Sequence, residues 1–293
     1  MRYHERTKHH FARFAPGPGQ LDWANQPDPF RRFEGAPLTL LPLLAPGEAP
    51  RAPAYDSLYM PGAVASAPVD LRALSRLLEY ALALSAWKQA GGTRWALRVN
   101  PSSGNLHPTE GYVLAGGIAE LGEAPGLFHY APREHALERR ADCPPALFER
   151  LMRGFTPETL LVGLSSVYWR EAWKYGERAF RYCQHDAGHA IGALRIAAAA
   201  LGWSALVLDE MADATIEALL GLDRAADFEG AERENAEVVM AVGPGRVVES
   251  ILEAEAVQEL KRQRWYGKAN RLSRDDPVPW EAIDAVSAAS QRP

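Results

Sequence analysis

One segment in the second half of the chain constrains the fold more than any other. Between Ala190 and Gly202 the only charged residue is Arg195, and the rest is alanine, isoleucine, leucine and glycine. A helix that is apolar on every side belongs inside a globule, because none of its faces prefers water. The sequence therefore predicts a long, buried helix from about 177 to 201.

The polar run ahead of this helix, from Trp173 to Tyr182, contains the pair Lys174 and Tyr175 and two arginines. A lysine held beside a buried element is partly desolvated, which lowers its pKa and suits it to act as a base. A solvated basic turn that caps a core helix explains the same residues. Taken alone, the run favours this second interpretation.

Composition is typical of a globular protein. The 293 residues are 47% hydrophobic and 24% charged, and they suffice for a full core. The net charge of −5 argues against nucleic acid as a main partner, because phosphate binding relies on a basic surface. We expect no membrane span and no secretion signal, since no long apolar run is present. Cys143 and Cys183 are too few for a disulfide framework, so a cytoplasmic location is expected.

The first 68 residues differ from the rest in composition. They hold 11 of the 22 prolines, a spacing through which no regular helix can run. They also carry too many aromatic side chains for a disordered tail, namely Phe11, Phe14, Trp23, Phe30 and Phe33. We predict that 1–68 form an extended arm, laid across the body of the protein or across a partner subunit.

From residue 69 onward, the pattern predicts helices mixed with strands. Asp70 can cap a helix that Gly91 and Gly92 end. Two alternating segments around Pro132 predict a hairpin. The predicted strands are 111–115, 127–130, 135–138, 160–164, 205–208 and 238–242, and the predicted later helices are 212–220, 247–263 and a short terminal one. This mixture indicates an α+β or α/β domain.

His185 and His189 share one face of the predicted long helix. Zinc proteases use this spacing with a glutamate as base. Here the residue after the first histidine is Asp186, one methylene shorter, and no clear third ligand follows. Gly188 and Gly192 indicate tight helix packing instead, which would make His189 a hydrogen-bonded core residue.

The segment from Arg98 to Glu110 brings hydroxyls, turn amides and an arginine together between a predicted helix and a predicted strand. Such a group suits a phosphate or the polar edge of a heterocycle, although most turns of this composition are only turns. The chain has no G-x-G-x-x-G and no P-loop, so any nucleotide is held in another way.

Several short segments, in their order and spacing, resemble the nitroreductase superfamily of FMN enzymes, and within it the azoline dehydrogenases of the SagB type. The resemblance runs from about 69 to 245, which indicates a flavin domain over 69–246 and a C-terminal helical extension over 247–293. The segments are Pro101–Pro108, Phe128–Tyr130 with His135 and Leu137, Lys174–Tyr182, Ala187–His189, Ala199–Trp203, Leu219–Asp223 and Val242–Pro244.

The resemblance implies a three-layer α+β fold with a central, mostly antiparallel sheet. It also implies a homodimer with FMN at the subunit interface. By position, Ser102, Ser103 and Asn105 match the flavin-contacting loop, with Leu106 and His107 beside the ring and Arg98 upstream. Gly202, Trp203 and Ser204 match the turn after the core helix, and Arg246 matches a phosphate-binding cation.

The resemblance also assigns the chemistry. Lys174 and Tyr175 match the pair that removes a carbon-bound proton in azoline dehydrogenases, while FMN takes a hydride from the adjacent position. The expected substrate is an azoline-like or other small heterocycle, free or within a modified peptide.

One departure keeps alternatives open. Relatives carry an Arg-Arg-Ser-like segment before the first core helix, whereas Tyr59–Ser66 contains no cation. Either Arg31 or Arg32 substitutes, or phosphate binding is weakened. A flavin-poor, non-catalytic scaffold of the same fold is therefore the alternative function, and a zinc hydrolase that uses His185 and His189 is the third.

Overall fold

A seven-stranded antiparallel sheet forms the centre of the protein. The computed structural model describes residues 2–45, 53–248 and 250–293. Its strands are β1 (Phe33–Glu34), β2 (Leu38–Leu40), β3 (Leu84–Ala90), β4 (Thr93–Arg98), β5 (Thr109–Ala115), β6 (Gly126–Ala131), β7 (Ala136–Asp142), β8 (Leu160–Ser166), β9 (Trp203–Val207), β10 (Asn235–Pro244) and β11 (Lys268–Ala269). The central sheet has the order β2-β7-β6-β5-β8-β10-β9, while β3 pairs with β4 and β1 with β11.

Helices cover both faces of this sheet. They are α1 (Arg2–Thr7), α2 (Leu71–Ala81), α3 (Pro145–Leu151), α4 (Tyr168–Tyr175), α5 (Ala179–Ala200), α6 (Asp213–Leu220), α7 (Ala254–Lys261) and α8 (Glu281–Ser290). One hydrophobic core joins the sheet to α2 and α5, and a second joins its other face to α3, α6 and α7. The predicted three-layer α+β fold is confirmed.

Alternation along the strands assigns side chains to the two cores. On β5, Val113 lies in the core with α2 and α5, whereas Tyr112 and Leu114 lie in the core with α3, α6 and α7. Because successive side chains of a strand point to opposite faces, a strand buried on both sides is apolar throughout. The strand predicted at 160–164 shows the same pattern, and β8 is buried along its whole length.

The helix predicted after Asp70 is present but ends earlier than expected. The Asp70 side chain accepts a hydrogen bond from the Ala73 amide at 2.7 Å, and the helix stops at Ala81. The prediction that it continues to the glycine pair is wrong. Residues 84–98 instead form the β3–β4 hairpin, with Gly91 at φ +56° in its two-residue turn. Paired glycines between two short strands are a hairpin signal, and here that signal prevails over helical spacing.

The described part of the N-terminal arm lies on the body of its own chain. Strand β2 adds to the central sheet beside β7. The fully buried guanidinium of Arg31 forms an ion pair with Glu234 at 3.0 Å. The hydroxyl of Tyr3 donates a hydrogen bond to the Glu177 carbonyl oxygen at 2.5 Å, which holds α1 beside the start of α5.

The long helix predicted from 177 to 201 corresponds to a short 3₁₀ turn, Gly176–Arg178, followed by α5. Its inner side is buried against α2 and the sheet. A stripe of its outer side is open in the single chain, and Ile196 is 46% exposed there. No helix in the described ranges is long and apolar enough to cross a membrane.

Candidate active site

The first group of predicted flavin residues lies on a tight turn between β4 and β5. The Ser102 hydroxyl accepts a hydrogen bond from the His107 amide at 2.8 Å. Ser103 donates its amide and its hydroxyl to the Asp186 carboxylate on α5, at 3.0 and 3.1 Å. The turn, which we call the serine turn (102–107), is therefore tied to the long helix. It follows a strand rather than the helix that the sequence predicted.

Helix α4 places the predicted base and its tyrosine partner against the serine turn. Lys174 Nζ lies 3.4 Å from the carbonyl oxygen of Gly104. Gly104 has φ +64°, and a Cβ built there would lie 2.6 Å from the Tyr175 hydroxyl and 2.9 Å from Lys174 Nζ. Only glycine permits this approach. Burial raises the pKa of Tyr175, so its phenol is protonated at neutral pH.

A buried acid lies on the same helix, three residues before Lys174. Glu171 is fully buried, and neither of its carboxylate oxygens has a hydrogen-bond partner among the described residues. Burial, followed by the charge of Asp186, raises the pKa of Glu171 well above its usual range. Burial also raises the pKa of Asp186, against the opposing bonds from Ser102 and Ser103. Of these two acids, Glu171 is the one whose carboxylate has no hydrogen-bond partner among the described residues, and burial favours its protonated form.

The histidine of the serine turn is neutral. Burial, then the charges of Arg98 and Arg170, lowers the pKa of His107 to about 3. Its Nε2 lies 2.9 Å from the side-chain oxygen of Asn105, an acceptor, which assigns the proton to Nε2. Its Nδ1 has no partner in the described part of the chain. His107 therefore offers an acceptor, not a positive charge.

The Arg98 side chain donates its hydrogen bonds to backbone carbonyl oxygens. Its guanidinium is buried and donates to the carbonyl oxygens of Thr109, at 3.1 Å, and Pro29. These bonds join the N-terminal arm to the first residue of β5. Among the Arg98 nitrogens, only Nε lacks a partner in the described part of the chain.

The second group of predicted flavin residues lines a separate cavity of about 740 Å³ at the far end of α5. Gly202, Trp203, Ser204 and Arg246 form one wall, and 57–66 form the other. Gly202 has φ +68°, and a Cβ there would lie 2.6 Å from the Ala65 carbonyl oxygen. The segment that lacks the Arg-Arg-Ser pattern therefore lies against the Gly202 turn and lines this cavity. Among the described lining residues, Arg246 is the only charged one.

The two groups do not meet within one chain. Asp186, which binds the serine turn, and Ala200, which precedes Gly202, are 14 residues apart on α5. At 1.5 Å per residue, this separation is about 21 Å along the helix axis. The serine turn with Lys174 and the 740 Å³ cavity are therefore two separate candidate regions of the chain.

Neither arginine of the arm reaches the cavity. Arg31 is buried and paired with Glu234, and its guanidinium also donates to the Glu232 carbonyl oxygen. Arg32 forms ion pairs with Glu134 and Glu138. Both guanidinium groups therefore have partners elsewhere, and neither residue supplies the missing cation.

His185 and His189 are both exposed on α5, so the expectation that His189 is a core residue is wrong. A Cβ built at Gly188 or Gly192 would meet nothing within 4 Å, so these glycines do not serve helix packing within the chain. Among the described residues, no group of three His, Cys, Asp or Glu side chains is placed to hold a metal ion. The zinc interpretation gains no support from this geometry.

Sequence reasoning did not single out Glu171, and it considered Asp186 only as a zinc-site base. A signal was present for Glu171, because residues three apart on a helix lie side by side and Glu171 precedes Lys174 by three. For Asp186 no local signal exists, since its partner Ser103 is 83 residues away.

Comparison with known proteins gives consistent results. The family model described as "Nitroreductase family" matches residues 64–244. A protein of Methanocaldococcus jannaschii named "putative nitroreductase" is 26% identical over 161 residues, which cover 53% of this chain and 76% of the relative.

Two crystal structures of proteins with the same description share the fold. The one from Anabaena variabilis has a TM-score of 0.67 at 24% identity, and the match covers 100% of this chain and 54% of that one. The chain thus spans about half of the length of the Anabaena protein. The one from Ralstonia eutropha has a TM-score of 0.51 at 18% identity, covering 79% of this chain and 97% of that one.

Proposed function

Because the chain belongs to the nitroreductase family, whose members generally bind FMN, we propose that it is an FMN-dependent oxidoreductase that dehydrogenates an azoline-like or other small heterocycle. The observation that carries this proposal is the contact between Lys174 and the serine turn, 3.4 Å from nitrogen to carbonyl oxygen. It places a basic side chain beside the loop that the resemblance assigns to the flavin.

The residues of the cavity fit FMN. Its volume of about 740 Å³ lies within the range of ligand pockets, about 300–1,000 Å³. The exposed Arg246 would hold the phosphate, and the turn at Gly202 would contact the ring. With a single cation among the described lining residues, phosphate binding is weaker than with a pair by about 1.5–3 kcal/mol, the value of one charge-assisted hydrogen bond.

A homodimer would complete the site. The serine turn and the cavity lie at opposite ends of α5, so a second copy is needed to bring one against the other. The outer stripe of α5 has the properties of a contact surface, with Ile196 exposed and Gly188 and Gly192 open to close approach. We therefore place FMN between the cavity of one subunit and the serine turn of its partner.

Within this site the chain's own residues handle the proton. FMN, when bound, supplies the hydride acceptor. Lys174 Nζ takes the proton from the carbon next to the one that loses hydride, and the protonated phenol of Tyr175 donates a hydrogen bond that orients the substrate.

Flavin content and single substitutions test this proposal. Purified protein should be yellow, and acid should release about one FMN per subunit. Lys174→Ala should retain flavin and abolish turnover, because it removes the base and leaves the cavity unchanged. Arg246→Gln should instead lower flavin affinity by about tenfold or more.

Two results would contradict the proposal. Full turnover by Lys174→Ala would remove the base assignment, and unchanged flavin retention by Arg246→Gln would remove the phosphate contact. Colourless protein that does not take up added FMN would favour the scaffold alternative. That alternative draws its support from the segment 59–66, which carries no cation.

A further inference from the structure

A second cavity, of about 460 Å³, opens on the other side of the serine turn. The N-terminal arm forms one wall with Trp23 and Phe30, and the β3–β4 hairpin forms the opposite wall with Trp87 and Arg94. Asn105 of the serine turn closes its floor. We call this cavity the hairpin pocket.

Two arginines of the hairpin pocket carry charge without a counter-ion. The Arg94 guanidinium lies 4.3 Å from the centre of the Trp87 ring, and the Arg133 guanidinium lies 5.5 Å from the centre of the Phe30 ring. Within the described ranges neither guanidinium forms an ion pair or a hydrogen bond. The third charged lining residue is Asp28, whose carboxylate accepts a hydrogen bond from the Phe30 amide at 2.9 Å. The pocket therefore carries a net charge of +1.

The aromatic wall is rigid where it meets the arginines. The Asp28 amide donates to the Leu272 carbonyl oxygen at 2.8 Å, and the Asp28 carbonyl oxygen accepts from buried Arg170 at 3.0 Å. Phe30 is 8% exposed, with its ring 6.3 Å from that of Trp87. Trp87 itself is 43% exposed, so part of its surface is free to receive a ring. A preformed wall loses little entropy when a ligand binds.

The serine turn connects the hairpin pocket to the proposed catalytic side chain. The Asn105 side-chain amide donates to the Ala96 carbonyl oxygen on β4 at 2.8 Å, which holds the hairpin against the turn. Ser103, two residues before Asn105 in the same turn, donates a hydrogen bond to Asp186. Lys174 contacts Gly104 between them. A ligand in the pocket would thus lie against the same short turn as the proposed base.

Planar aromatic faces and unpaired guanidinium groups recognise one class of ligand. Tryptophan and phenylalanine rings stack on planar rings, and arginine binds carboxylate with a matching pair of donors. We infer that the hairpin pocket binds a planar aromatic or heteroaromatic carboxylate. This inference goes beyond the proposed function, because Lys174 does not line the hairpin pocket and a ligand held there is not the group that is dehydrogenated.

Binding of 2-naphthoate and of its neutral amide, 2-naphthamide, to the full-length protein tests the inference by calorimetry. The carboxylate should bind about tenfold more tightly than the amide, the effect of one charge-assisted contact. Arg94→Gln and Arg133→Gln should each remove most of this preference and leave amide binding within about twofold. Trp87→Ala should weaken both ligands alike. Lys88→Gln is the matched control, because Lys88 lies on the same hairpin, is exposed and does not line the pocket.

Equal affinity for the two probes, or a preference that survives both arginine substitutions, would overturn the inference. A change in oligomeric state on substituting Arg94 or Trp87, without a change in probe affinity, would also overturn it, by showing that a second copy covers the pocket. The readout does not require turnover. Naphthoate binding by protein that takes up no FMN would reject the proposed function alone, and flavin-loaded protein without the preference would reject the pocket alone.

Discussion

Glu171 is the side chain whose environment departs most from that of an ordinary glutamate. It is fully buried without a hydrogen-bond partner among the described residues, and burial raises its pKa well above the usual value of 4.5. A carboxyl group whose pKa is raised by folding adds stability below pH 4.5. That contribution is lost as pH rises through the raised pKa, because the carboxyl group ionises more easily in the unfolded chain than in the folded one.

We therefore expect Glu171→Gln to change the pH dependence of stability. Below pH 4.5 the free energy of unfolding should stay within about 1 kcal/mol of the wild-type value, since glutamine has nearly the same shape. Above that pH the variant should be increasingly more stable than wild type. Urea unfolding across the pH range measures this, with Glu255→Gln on the exposed side of α7 as control. Parallel profiles for wild type and Glu171→Gln would show that folding does not raise the pKa of Glu171.

At the scale of single elements, the serine turn depends on one backbone position. Alanine at Gly104 would place a methyl group 2.6 Å from the Tyr175 hydroxyl, at φ +64°, where a side chain also costs about 1–2 kcal/mol. We expect Gly104→Ala to lose that stability and to lower turnover at least tenfold. Gly230→Ala is the control, because its φ is +72° and its Cβ would meet nothing within 4 Å. Equal turnover losses in both variants would show that backbone strain, not displacement of Lys174 and Tyr175, is responsible.

The sequence predicts those helices and strands whose local residue pattern favours the same structure as their tertiary contacts. Asp70 caps α2 as expected, and the hairpin around Pro132 is present as β6 and β7. The β3–β4 hairpin was not predicted, because its residues also suit a continued helix and the pairing of its strands decides the outcome. Helix α4 was missed for a related reason: its burial depends on the arm, where the Asp22 carbonyl oxygen accepts a hydrogen bond from Trp173 at 2.9 Å.

The sequence names candidate site residues one by one, but it does not give their arrangement in space. Resemblance to nitroreductase motifs pointed to the serine turn and the Gly202 turn in the sequence. Only the fold shows that α5 separates these two turns. The same limit applies to Glu171, whose pKa is raised first by burial and then by the charge of Asp186 on α5. Such long-range electrostatic coupling leaves no trace in local spacing.

At the scale of the whole molecule, packing within a single chain does not explain why α5 contains Gly188 and Gly192. Glycine within a helix costs about 0.5–1 kcal/mol relative to alanine, and a Cβ at Gly192 would meet nothing within 4 Å. In the proposed homodimer, close approach of a second copy would account for the glycine. In an isolated subunit Gly192→Lys should therefore be neutral or stabilising, whereas in the proposed dimer it inserts a charged side chain into the contact.

We accordingly expect Gly192→Lys to shift the protein to monomers in sedimentation and to lose FMN, while its thermal unfolding stays cooperative. Flavin loss follows because each proposed flavin site takes the serine turn from one subunit and Arg246 from the other. Gln258→Lys, which adds the same charge on the exposed side of α7, should leave assembly and flavin unchanged. A monomeric Gly192→Lys protein that retains stoichiometric FMN would contradict a site shared between subunits, since α5 alone keeps its two halves about 21 Å apart.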